Sequence, residues 1–163
     1  MPRPVYIVCS ESSSDDKETG LLSIFNIIDK VQFSKNPAIG QRQVAPLVQL
    51  RITAGWMKEK GDDGSEFEFA LVLRPPHKED INIGSGTFSF TLPLFRVTAK
   101  LIGGLPLDGD GILWIECRVR KVGARGWQNR QEYPIFVEEL PSPIETVQSK
   151  EVPQTSFADT LAQ

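Results

Sequence analysis

LVQLRITAGWMKEKGDDGSEFEFALVLR, residues 47 to 74, decides how this chain folds. In its first half Val48, Leu50, Ile52, Ala54 and Trp56 fall on one side of an extended backbone, and Gln49, Arg51, Thr53 and Met57 fall on the other. In its second half Phe67, Phe69, Leu71 and Leu73 alternate with Glu66 and Glu68. A period of two residues belongs to a half-buried strand and not to a helix. Between the halves Gly61, Asp62, Asp63 and Gly64 reverse the chain, so the stretch reads as two strands joined in a hairpin.

The same period recurs on either side. Val5, Ile7 and Cys9 alternate with Tyr6 and Val8, ahead of a polar loop, ESSSDDKET, at residues 11 to 19. GLLSIFNIIDKVQF, residues 20 to 33, reads as a second strand whose doubled Leu21-Leu22 and Ile27-Ile28 mark a bulge or burial on both faces. Strand is preferred to helix there because Gly20 opens the run without a helix N-cap. Residues 36 to 46 are a connection. RPPHKED, residues 74 to 80, takes the chain out of the sheet, since two consecutive prolines remove ladder donors. Three more strands follow on Phe88, Phe90 and Leu92, on Phe95, Val97, Ala99 and Leu101, and on Leu113, Ile115, Cys117 and Val119. YPIFVEE closes the series, its Pro134 suiting an edge strand. About eight short strands, with helical periodicity an alternative only at residues 21 to 31, predict an all-β fold, an antiparallel β-sandwich over residues 1 to 140. Residues 141 to 163, with three prolines and few apolar side chains, predict a disordered tail.

The order of these features resembles a family of bacterial β-sandwich domains of unknown function. The shared features are a first strand ending in Cys9-Ser10, a polar loop, the segment at 20 to 33, a long strand running to a turn, and a Gly-x-Leu-Pro-x-x-x-x-Gly loop at residues 103 to 111. In that family the segment matching residues 20 to 29 reads Gly-Lys-Leu-Ser-Ile-Ile-Gly-x-Phe-Asp. Here Leu22-Ser23-Ile24-Phe25 and Ile28-Asp29 keep that order, and Asn26 stands where glycine is common. The resemblance covers residues 3 to 140 and implies a sandwich without implying an activity.

At 163 residues the chain has room for one domain, and 40% hydrophobic with 24% charged residues is ordinary globular composition. No run approaches a membrane span and the first apolar stretch is too short for a signal peptide, so a cytoplasmic chain with no membrane partner is expected. Cys9 and Cys117, each inside an alternating apolar segment, then read as reduced, packed thiols.

Chemistry has few footholds. His77 is the single imidazole and sits in the proline-stiffened RPPHKED, and no Gly-x-Ser-x-Gly elbow or Cys-x-x-Cys is present. No cofactor and no catalytic residue is assigned. Asp62, Asp63, Asp108 and Asp110 are hard oxygen ligands in turns, which gives a calcium- or anion-dependent module as the alternative function, although tight turns select Asp and Gly without any metal. An enzyme with a carboxylate site comes third.

One segment stands out by charge. RVRKVGARGWQNRQ, residues 118 to 131, carries Arg118, Arg120, Lys121, Arg125 and Arg130 around Trp127 and contains no acid. These six residues form the candidate interaction surface, with guanidinium forks and a stacking ring. A net charge of −3 argues against nucleic acid as the partner. Acidic residues of the tail, among them Glu145, Glu151 and Asp159, could lie over this basic block. The sequence thus predicts a non-enzymatic module that binds an unidentified protein partner or a second copy of itself.

Overall fold

The computed structural model describes residues 1–16, 18–34, 49–101, 105, 107 and 109–141. The expected tail falls outside them from residue 142 onward, as does Asp108. Nine strands occur among the described residues: β1 (Arg3–Asp15), β2 (Leu22–Ile27), β3 (Lys30–Ser34), β4 (Leu50–Met57), β5 (Glu66–Arg74), β6 (Ile81–Ser89), β7 (Leu94–Leu101), β8 (Gly111–Lys121) and β9 (Asn129–Leu140). No helix accompanies them there. They form a four-stranded sheet in the order β2-β1-β4-β7 and a five-stranded sheet in the order β3-β9-β8-β5-β6.

The alternating apolar sets of both sheets enter one core. Leu50, Ile52, Ala54 and Trp56 come from β4, Phe67, Leu71 and Leu73 from β5, and Leu113, Ile115, Cys117 and Val119 from β8. Phe88 of β6 stacks on Phe95 of β7 with 3.9 Å between ring centroids, which ties one sheet to the other, and Trp56 lies 5.9 Å from Phe88. Aromatic contacts of this kind add to what area burial alone contributes. Gln131 also crosses between the sheets, its Nε2 donating to the Gly55 carbonyl at 2.9 Å.

Four expectations about connection are corrected. First, the Gly61–Gly64 turn does not close a hairpin: β4 pairs with β1 and β7, and β5 pairs with β6 and β8. The turn carries the chain from one sheet to the other. Alternation records which side of a strand is buried and is silent on which strand lies alongside, so two strands of different sheets look like two that pair. Second, residues 20 to 33 are two strands, which makes nine where about eight were expected. Asn26 takes φ 55, in the left-handed region that Asn tolerates and Gly adopts without strain. The chain then leaves the first sheet at Ile28 and Asp29 and enters the second.

Third, the five-stranded sheet is not wholly antiparallel. β3 runs parallel to β9, from Lys30 opposite Phe136 to Ser34 opposite Leu140. A switch between sheets precedes β3 in place of a tight turn, so nothing forces the reversal that a hairpin would. Fourth, Pro134 is therefore not in an edge strand. β3 covers only residues 136 to 140 of β9, and Phe136 donates its N–H to the Asp29 carbonyl on that side. Residue 134, two positions earlier, turns its nitrogen to the same side ahead of β3, where a proline interrupts no ladder.

One strand outruns its sheet. β4 pairs with residues 3 to 10 of β1, and Arg96 of β7 lies opposite Gly55, which lies opposite Tyr6. Asp15 is nine residues beyond Tyr6, about 30 Å along a straight strand. Yet Asp15 forms an ion pair with Arg96, whose Nη2 also donates to the Gly20 carbonyl at 3.3 Å, and Arg51 Nη1 donates to the Ser13 carbonyl at 3.0 Å. The β1–β2 hairpin therefore bends back over the outer face of its own sheet. Thr53, outward in phase on β4, is fully buried and shares a 3.3 Å hydrogen bond with Thr98.

Candidate functional site: the outer face of the five-stranded sheet

The register of β5, β8 and β9 sets outward side chains in rows: Ala70, Arg118 and Arg130; then Val72, Glu116 and Glu132; then Arg74, Trp114 and Pro134. Glu116 is the centre of this face. Its carboxylate is fully buried, a costly state unless it is paired. Arg118 Nη2 donates to Oε2 at 2.7 Å, Arg74 Nη1 lies 3.6 Å from the same oxygen, and Arg130 Nε faces Oε1 at 3.4 Å. Two further carboxylates balance these cations. Asp80, from the loop between β5 and β6, lies 3.1 Å from Arg118 and 3.5 Å from Arg74, and Glu132 lies 3.2 Å from Arg74. The hydrogen bond from Arg118, opposed by burial and reinforced by the charges of Arg118, Arg130 and Arg74, holds the Glu116 carboxyl below the usual glutamate range. Glu116 in turn raises the Arg118 guanidinium further above its already high value.

The two ends of the face differ. At one end Arg120 Nε lies 2.5 Å from Glu68 Oε2, and its guanidinium carbon sits 4.6 Å from the centre of the Trp127 ring, a cation–π contact. Glu68, Asn82, Ser85, Thr87, Arg120 and Trp127 line a shallow pocket of about 290 Å³ there. At the other end Ile112 lies opposite Phe136, whose side chain is 54% exposed.

Of the six residues predicted as an interaction surface, Arg118, Arg120 and Arg130 lie on this face, and Lys121, Arg125 and Trp127 lie at or in the loop from β8 to β9. The structure brings them together without making a field of positive charge. Among the described residues, Arg74, Arg118, Arg120 and Arg130 pair with Glu68, Asp80, Glu116 and Glu132, whereas Lys121 and Arg125 have no ion-pair partner. Sequence reading missed Arg74 and all four carboxylates. The available signal was the spacing of Glu116 to Arg118, two residues apart and hence on one side of a strand.

The other candidates are accounted for residue by residue. Cys9 and Cys117 are unbonded and buried, and burial pushes both thiols up to about 12, which suppresses the reactive thiolate at neutral pH. His77 is exposed in the β5–β6 loop at φ 63. Asp62 Oδ2 accepts from the Glu59 N–H at 2.9 Å, Asp63 pairs with Lys58, and Asp110 accepts from the Glu139 N–H, so these turn carboxylates face protein donors. Among the described residues no group of three or more His, Cys, Asp or Glu is placed to hold a metal ion, and no helix is long and apolar enough to cross a membrane. The chain matches no protein-family model and no curated protein.

Proposed function

We propose that this chain is a non-enzymatic, cytoplasmic β-sandwich that works as a protein-interaction module, with the outer face of the five-stranded sheet as its binding surface. The observation that carries this reading is the composition of that face: exposed Phe136 at one end, Trp127 at the other, and four arginines in defined pairs between them. Aromatic residues and arginine are the types enriched where proteins meet, and hot spots concentrate in them. Because the arginines are matched by carboxylates, the face supports a folded protein partner over a polyanion, which needs uncompensated charge. The two buried thiols fit a reducing compartment.

The test is capture of a partner from extract of the native cell by full-length wild type, Phe136→Asp and Trp127→Ala. Retention by wild type with about tenfold weaker binding by both variants, at unchanged melting temperature, supports the face. A partner held equally by all three rejects it.

A further inference from the structure

The outer edge of β2 is a second surface, and its composition sets it apart from the other sheet edges. β2 is hydrogen-bonded on one side to β1 and ends the four-stranded sheet on the other. Residues 20 to 28, GLLSIFNII, carry no charge. Leu21 and Phe25, four residues apart, share one side of the extended backbone and are 67% and 50% exposed, and Ile27, beyond Asn26, is 61% exposed. Proteins ordinarily protect an edge with charge, most often lysine, because bare edge N–H and C=O groups pair with other strands. The remaining edges follow that practice or lack the apolar stripe. β7 carries Arg96 and Lys100, which self-pairing about Thr98 would set against each other, and β3 carries Lys30. β6 is uncharged, but Gly84 and Gly86 interrupt it and the Asn82 side chain already accepts the Gly84 N–H at 3.0 Å.

We propose that two copies of this chain pair through β2, antiparallel, with the two-fold axis at Ser23. In that register Leu21 stands opposite Phe25 of the second copy and Leu22 opposite its Ile24, and symmetry repeats each contact. The exposed stripe of one copy continues into that of the other, and no like charges meet. Pairing spans Leu21 to Phe25 and stops where Asn26 turns into the left-handed region. Adding one short strand buries less than the roughly 1,200 Å² of a standard interface, so the dimer is weak and forms as concentration rises. This extends the interaction-module reading to a second copy, on a surface separate from Phe136 and Trp127.

A residue on the axis meets its own copy, and directly opposed Cβ atoms lie about 5 Å apart, close to disulfide range. Full-length Ser23→Cys under mild oxidation should therefore form a covalent dimer rapidly, whereas Thr91→Cys, exposed between β6 and β7, should not. The native thiols are buried and do not compete. Sedimentation of wild type should show monomer passing to dimer with concentration, and Phe25→Lys should weaken that step about tenfold or more at unchanged melting temperature. Cross-linking of Ser23→Cys no faster than Thr91→Cys, or a wild type that stays monomeric up to about 1 mM, overturns the pairing. Partner capture through Phe136 is read separately, so the two claims fail separately.

Discussion

The outer face of the four-stranded sheet is covered in part, over Thr53, by the chain's own β1–β2 hairpin, and the outer face of the five-stranded sheet has no such segment and is filled with paired charge. Each solution selects different residues. On the four-stranded sheet Thr53 is buried without a charge and Gly55 lies beneath the Tyr6 ring, and the two outward arginines, Arg51 and Arg96, bind the hairpin itself, at the Ser13 carbonyl and at Asp15. On the open face Ala70 and Val72, in register with Arg118 and Glu116, are themselves buried, and the arginine heads close around Glu116. A covering segment makes neutral burial possible, and its absence makes burial of an ion depend on the cations around it.

The contrast predicts unequal sensitivities. Glu116→Gln should have the largest effect, about 3 kcal/mol, because it leaves Arg74, Arg118 and Arg130 crowded without their shared carboxylate. The pH dependence follows in sign. With its pKa depressed in the fold, Glu116 contributes fully above the ordinary glutamate value of about 4.3, and that contribution is lost as pH falls through the lower folded value. Urea titrations should show the gap between wild type and variant narrowing between neutral pH and about pH 3. An equal gap at both would mean the network does not depend on ionised Glu116.

Gly55→Ala probes the covered face. A Cβ there would stand 2.7 Å from Tyr6 Cζ and 2.8 Å from Cε1, so the ring must move, at a cost of about 1 to 2 kcal/mol in chemical denaturation. A neutral result would show the Tyr6 ring to be loosely seated over β4. Asp15→Asn should have the smallest effect on stability, under about 1 kcal/mol, since its pair with Arg96 is partly exposed. Its signature is local: amide exchange at residues 11 to 22 should quicken, and raising the salt should make wild type behave like the variant.

These differences also mark what sequence could reveal. The inward sets of β4, β5 and β8 were legible because a half-buried strand has a period of two, and Trp56 in phase with Ile52 is indeed fully buried. Pairing was not legible, since the alternation of Trp56 and Phe67 is the same whether their strands lie side by side or face to face. The basic block was legible as charge, but its neutralisation by Glu68 and Asp80 depends on strand order, which spacing does not encode. The bend of β1 was equally hidden: Ser12, Ser13 and Ser14 suit a solvated loop as well as a strand curving over its sheet.

The parallel pairing of β3 with β9 carries a consequence for how the molecule comes into being. Lys30 is synthesised well before Phe136, so β3 emerges with no strand to receive it until β4 to β8 have been made and β9 follows. β9 itself separates β3 from β8 in the sheet order. The five-stranded sheet thus closes with its last strand as the insert between its first and its middle, a long-range step of the kind that slows β-rich folding and leaves early strands exposed to chaperones on the ribosome.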